Sequence, residues 1–376
     1  MVPPGKKLGQ TSAMTTHRLI GARVSLYTGK VRAYLQYKDI PFVEVAATRE
    51  VYRDLIVPRT GVRFIPVLIS DDDIAIQDST EIIDFLERRY PAARVYPDGA
   101  IQHLVSLILE TYADEWLVVP AMHYRWNVPE NRAFAIAEFG RLSAPDASPQ
   151  AQLEIGEKLA GPFAGALPAL GVSEATIPAI ETSYHEFLAE FDHHLASHPF
   201  LLGTRPSIAD FGFFGPLYAH LYRDPGSGRL MHDVAPRVHA WVERMLEPVP
   251  RSGDFLPNDA VPDTLLPIIA RMVREFGPVL KSTIDRLAAS AAEIGANAVP
   301  RALGRHEFKL GAASGTRMAY PFNLWRWQRA HDQHSSLSSE GQERAVSLLA
   351  ATSVVPLLEQ PISPRLTRRD NRLFLA

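Results

Sequence analysis

Phe64–Pro91, FIPVLISDDDIAIQDSTEIIDFLERRYP, is the stretch that decides the fold. It reads as strand Ile65–Ser70, a turn, strand Ile74–Gln77 and helix Ser79–Tyr90. Two features are odd for an ordinary sheet. Pro66 heads the first apolar run, where it forces Ile65 into the extended region and cannot donate to a ladder, so main-chain groups stay free for a ligand. The polar triplet Gln77-Asp78-Ser79 stands where the helix must begin. Ser79 is a good N-cap, and the amides beside it, helped by the helix dipole, can accept a carboxylate. Taken one at a time, an edge proline and a plain helix cap explain these residues. The stretch alone leaves open whether they also border a ligand site.

Upstream, "HRLIGA" is a short strand, "TGKVRAYLQYKD" is helical with Val31, Tyr34, Leu35 and Lys38 on one side, "PFVEVAA" is a second strand and "YRDLIV" a brief helical turn. The order β-α-β-α-β-β-α over 17–98 joins a parallel βαβ unit to a hairpin and predicts a mixed sheet. Residues 100–248 read as helical: Ile180, Tyr184, Phe187, Leu188, Phe191 and Leu195 recur at helix spacing. "APDASPQ" at 144–150 is a loop by composition, and Ser207 with Asp210 has capping-box spacing before a buried helix. Residues 249–263 are rich in Pro, Asp and Gly and read as a linker. The remainder opens with a long amphipathic stretch from Leu265 to Leu287, which Pro267 and Pro278 bend or start, and ends in a basic tail, "RLTRRDNR". The predicted organisation is a disordered leader at 1–16, an α/β domain at 17–98, a helical domain at 100–248, and a linker with a mainly helical extension at 249–376.

Composition narrows the chemistry. A chain of 376 residues favours two domains with enough core to fold unaided. Net charge is −3, so no overall field points to nucleic acid or membrane. No apolar run reaches the roughly 18 residues of a membrane span, and the leader lacks the apolar core of a signal peptide, so the expected compartment is the cytoplasm. With no cysteine, disulfides, thiolate metal sites and redox chemistry at the protein's own thiols are excluded. The 13 histidines form no paired ligand set, and no metal is expected.

Three motifs together resemble the cytosolic glutathione transferase superfamily over 17–248: "GARVSLYTGKVRAYLQYKDIPFVEV", the Phe64–Pro91 stretch, and "PFLLGTRPSIADFGFFGPLY". The resemblance implies a thioredoxin-like N-terminal domain, an all-α C-terminal domain, a homodimer, and glutathione as cosubstrate. It implies a cis Ile65–Pro66 bond, pairing of the Ile65 main chain with the cysteinyl part of glutathione, and Asp78 and Ser79 at its γ-glutamyl end. The extension after about residue 250 lies outside the family pattern.

Transfer chemistry needs a thiolate. A free thiol with a pKa of about 8.5 is only a few per cent ionised at pH 7, and lowering it by about two units takes roughly 2.7 kcal/mol. One hydroxyl donating to the charged sulfur supplies about 1.5–3 kcal/mol, and a nearby helix N-terminus about 0.3–1 kcal/mol. The loop before the first helix offers Ser25, Tyr27 and Thr28. Matching the serine-type pattern favours Ser25, with Tyr27 second; Thr28 reads as the helix N-cap. Tyr112, Trp116 and His123 lie near one face of a helix, either as an apolar acceptor pocket or as bundle core. Trp325 and Trp327 are a lid or a glue for the extension. The expected function is a glutathione-dependent transferase acting on a small hydrophobic electrophile. The alternatives are a non-catalytic scaffold on the same fold and a glutathione-dependent lyase or isomerase.

Overall fold

The structure, a computed structural model, describes residues 16–247 and 252–376. The leader expected at 1–16 lies outside these apart from Thr16, as does the part of the expected linker up to residue 251.

The deciding stretch folds as strand, strand and helix, with shorter strands than the apolar runs suggest. β1 (His17–Gly21) pairs parallel with β2 (Phe42–Ala46) and antiparallel with β3 (Val67–Ile69), which in turn pairs antiparallel with β4 (Ala75–Gln77). The order β2-β1-β3-β4 is the expected mixed sheet. β3 is therefore a central strand, and Pro66 is tolerated because the ladder starts one residue later, at Val67. The Ile65–Pro66 bond is cis. Helix α1 (Leu26–Tyr37) buries Val31, Tyr34 and Leu35 against Leu19, Leu68 and the Ile82, Ile83 and Leu86 face of α2 (Ser79–Arg89). Lys38 leaves this apolar side and donates to Glu87 and to the carbonyls of Tyr90 and Ala92.

Eight α-helices of nine residues or more follow in the second unit among the described residues. They are α3 (Ala100–Glu115), α4 (Val118–Asn127), α5 (Pro129–Ser143), α6 (Pro149–Ala164), α7 (Ile177–Leu195), α8 (Ile208–Pro216), α9 (Pro225–Val234) and α10 (Pro236–Met245). The expected core face of α7 is buried at Ile180, Tyr184, Phe187, Leu188 and Phe191. At the start of α8, Asp210 accepts hydrogen bonds from the amides of Ser207 and Leu201. Helices α5 and α6 cross at backbone contact: a Cβ on Gly140 would lie 2.0 Å from the Gln152 carbonyl, and one on Gly156 2.1 Å from that of Ile136.

The extension is not purely helical. The amphipathic stretch divides into α11 (Leu266–Glu275) and α12 (Gly277–Ile294), with Pro267 and Pro278 each in a first turn, where the missing N–H costs nothing. A hairpin, β5 (Arg305–Leu310) with β6 (Ala313–Met318), precedes α13 (Pro321–Ser335) and α14 (Ser339–Leu349). The basic tail closes a second hairpin, β7 (Leu366–Arg369) with β8 (Arg372–Leu375), whose turn puts Asp370 and Asn371 at positive φ. Asn and Asp tolerate that region well, as two-residue hairpin turns require. Trp327 is fully buried, and Trp325 packs against Phe322. Among the described residues no helix is long and apolar enough to cross a membrane.

The two units meet through charge as well as apolar packing. Lys30 of α1 has no exposed surface and lies 2.7 Å from Glu110 Oε1 and 2.6 Å from Asp114 Oδ2 on α3.

Candidate active site

Ser25 lies at the end of the loop before α1 and Tyr27 and Thr28 in its first turn, and the cap expected at Thr28 falls at Ser25. Ser25, rather than Thr28, is the N-cap: its Oγ accepts from the Thr28 amide at 3.3 Å. Thr28 is the third helical residue, fully buried, with its own hydroxyl accepting from Ala22 N. Ser25 is half-buried, and accepting at its oxygen leaves its proton available to donate. The Tyr27 hydroxyl already donates to the Asp114 carbonyl at 2.9 Å. Burial, then the nearby Glu115 and Asp114, push its pKa well above the usual tyrosine value.

The groove walls come from the deciding stretch. Ile65 is half-buried and outside the ladder, so its main chain is not spent on strand pairing. The cap of α2 sits one residue earlier than expected. Asp78, at φ 86°, is the N-cap, and its Oδ1 accepts from the amides of Thr80 (2.9 Å) and Glu81 (3.3 Å). Its short carboxylate spans two first-turn amides, which displaces Ser79 into the helix. Ser79 is completely buried, and its Oγ has no hydrogen-bond partner.

The extension packs against these residues. Arg326 of α13 donates from Nη2 to Asp78 Oδ2 at 3.0 Å and from Nη1 to Asp114 Oδ2 at 2.7 Å and to Thr80 Oγ1. Its Nε lies 2.8 Å from Glu115 Oε1, outside hydrogen-bond alignment. Arg329 adds contacts to Glu110, Asp84 and Tyr96. From the β7–β8 hairpin, Arg368 donates to Gln77 Oε1 and Asn371 to the Thr60 carbonyl. Every side chain of the Gln77-Asp78-Ser79 triplet is therefore either held by the extension or left unpartnered beside it.

Burial and neighbouring charge set the protonation of this cluster. Burial pushes Glu115 up to about 8, with Asp114 and Asp78 adding to the effect of burial and Arg326 opposing it. Burial also acts on Glu110, but Lys30, Arg329 and Arg326 outweigh it and hold the carboxyl at about 2. Asp114, with like charge beside it, is raised, chiefly by burial. Among the described residues no group of three or more His, Asp or Glu could hold a metal.

The aromatic acceptor candidates are interior. Tyr112 and Trp116 line a cavity of about 10 Å³ with Ile180, Tyr184, Phe187 and Leu310. That volume is no larger than a single water needs. The extension covers Trp116: its Nε1 donates to Glu275 at 2.9 Å, Phe276 and Phe308 pack on the ring, and the Arg317 guanidinium lies 5.0 Å from its centroid. His123 lies elsewhere, 2.9 Å from both Glu181 and Asn127. The residues that sequence reasoning missed are those of the extension, Arg326, Arg329, Arg368 and Glu275. The local signals were basic residues beside aromatic ones for Arg326 and Arg329, a basic tail for Arg368, and an amphipathic stretch for Glu275, none of them a motif.

Comparison with known proteins agrees with this architecture. Residues 19–94 match the family model for the glutathione S-transferase N-terminal domain, and residues 174–244 the model for the glutathione S-transferase C-terminal domain. No curated protein matches the chain. Similar solved structures include a beta-etherase from Sphingobium sp. strain SYK-6, 19% identical, covering 61% of this chain and 94% of that one at a TM-score of 0.45. Another is a glutathione S-transferase of Ceriporiopsis subvermispora in complex with glutathione, at 14% identity, 63% and 100% coverage and a TM-score of 0.43. A Tau class glutathione S-transferase from mango, Mangifera indica, follows at 17%, 62% and 89%, with a TM-score of 0.41. The chain thus has a glutathione-transferase-superfamily fold, with N- and C-terminal transferase domains and an additional, mainly helical extension.

Proposed function

We propose that the chain is a glutathione-dependent transferase that conjugates a small hydrophobic electrophile. In this reading glutathione lies along the Ile65–Pro66 main chain with its γ-glutamyl end at Asp78 and Ser79. The Ser25 hydroxyl donates to its sulfur. The thiol proton passes to solvent, the thiolate attacks the electrophilic carbon, a carbon–sulfur bond forms, and the leaving group departs with the bonding pair. A second copy of the chain as partner and a cytoplasmic setting belong to the same reading. The observation that carries it is the state of the hydroxyls at the start of α1: the Tyr27 hydroxyl already donates its hydrogen bond to the Asp114 carbonyl, Thr28 is sealed in the core, and Ser25 is half-buried at a helix N-terminus. Donation to a charged sulfur, at about 1.5–3 kcal/mol, covers most of the thiolate stabilisation required. The test is turnover with a chromogenic aryl halide. Ser25→Ala is expected to lower kcat at least tenfold while leaving glutathione binding within threefold, and Tyr27→Phe to leave kcat near the wild-type value. Unchanged turnover in Ser25→Ala removes the serine from this role.

One observation favours a second reading, a scaffold that keeps the fold without turnover: the extension stands in the groove and over Trp116. A chain that neither binds glutathione nor turns over any electrophile belongs to that reading.

A further inference from the structure

We propose that the extension is an intramolecular ligand of the glutathione groove. In this proposal the Arg326 guanidinium occupies, on Asp78, the position of the γ-glutamyl ammonium, and so decides what the site admits. The inference rests on the glutathione reading above.

Three observations converge on it. First, Asp78 has one oxygen to offer a cation. Oδ1 is taken by the amides of Thr80 and Glu81, and Oδ2 receives Arg326 at 3.0 Å. A guanidinium and an ammonium make the same charge-assisted bond to that oxygen and cannot share it at full strength. Second, Arg326 is not a casual surface contact. Its side chain is 3% exposed and is held by Asp114 and Thr80 as well, while Arg368 on Gln77 and Asn371 on Thr60 close the groove from the hairpin side. Third, the Ser79 hydroxyl beside it is completely buried and unpartnered. Such a group is costly to leave without a bond, and a ligand carboxylate arriving at the start of α2 would supply one. The groove therefore has two ways to be filled. In one, Arg326 neutralises Asp78 and Ser79 stays unsatisfied. In the other, the ligand's ammonium takes Asp78, its carboxylate takes Ser79, and α13 moves away.

Competition between them has a measurable size. Apparent affinity falls by the fraction of molecules that are competent to bind, so a chain closed about 90% of the time binds about tenfold more weakly than an open one. The experiment uses the full chain with reduced glutathione as the probe. Calorimetry gives the dissociation constant for the wild type, Arg326→Ala and Arg326→Lys, and hydrogen exchange follows the α13 amides with and without glutathione. The expected result is an affinity about tenfold higher in Arg326→Ala. Arg326→Lys should fall between the two, because lysine keeps the charge but cannot bridge Asp78 and Asp114 as a fork. In the wild type, glutathione should speed exchange in α13. Where Arg326→Ala does not fold, the lysine variant and the wild-type exchange decide. Equal affinities with unchanged α13 exchange overturn the competition and leave the glutathione reading standing. Weaker binding by folded arginine variants also overturns it, making Arg326 part of the site. Absence of binding by all three chains at millimolar glutathione overturns both readings together.

Discussion

Glu115 offers a test of the buried cluster that needs no ligand. Its carboxyl, raised from an ordinary 4.5 to about 8, is protonated at neutral pH although Arg326 Nε is 2.8 Å away. The cause is burial first, then the like charges of Asp114 and Asp78. The unfolded chain releases this proton near pH 4.5 and the folded chain near pH 8, so between those values the folded state holds more protons. Stability is then full below about pH 4.5, declines as pH rises through the window, and levels off above about 8. At about 1.4 kcal/mol per pH unit the full decline is about 5 kcal/mol, and relaxation around the new charge trims it to about 3–5 kcal/mol. Glu115→Gln keeps the shape and removes the titration. Thermal and urea unfolding of both chains should give nearly equal stability at pH 5 and a variant more stable than the wild type at pH 9 by a few kcal/mol. If the variant is instead less stable than the wild type at pH 7 by about 1 kcal/mol or more, Glu115 is an ionised partner of Arg326 and the burial argument fails.

Three other perturbations probe separate parts of the molecule. Lys30→Met leaves Glu110 and Asp114 without the ammonium that bridges the two units; a loss of about 3–5 kcal/mol in urea unfolding is expected, and a loss under about 1 kcal/mol would show the seam to be dispensable. Gly156→Ala places a methyl against the Ile136 carbonyl, so the α5–α6 pair must separate; about 1–3 kcal/mol of destabilisation is expected, together with faster hydrogen exchange confined to those helices. Ser25→Ala should cost about 1 kcal/mol of stability through the lost cap in addition to its effect on turnover, and a larger stability loss would mean that the turnover result reports unfolding.

Elements of the first two units were legible because each has a local cause. Short apolar runs bounded by polar residues gave β3 and β4, helix spacing gave α7, and the Ser207–Asp210 spacing gave the start of α8. The errors in the site were one to three residues wide and came from rival caps. Ser25 and Thr28 both suit the start of α1, and Asp78 and Ser79 both suit the start of α2; which of each pair reaches the free amides depends on loop geometry that sequence does not specify. The extension was legible only as helix-forming periodicity. Its hairpins were hidden by charged residues on their open faces, though Asp370-Asn371 is a turn signal in retrospect. Arg326 on Asp78 could not be read at all, because nothing local couples residues so far apart and a buried arginine is spelled like a solvated one.

The separation along the chain between Arg326 and its carboxylates has a consequence in time. Asp114 precedes Arg326 by 212 residues and Asp78 by 248. Translation at about 5–20 residues per second puts roughly 12–50 s between synthesis of Asp78 and of the arginine that neutralises it. The sheet, α1 and α2 are local enough to form in that interval. The nascent protein therefore passes through a stage in which Asp78 faces solvent and Lys30 is the sole cation on Glu110 and Asp114 among the contacts described. For that interval the start of α2 carries an acidic cap without the arginine that neutralises it in the folded chain.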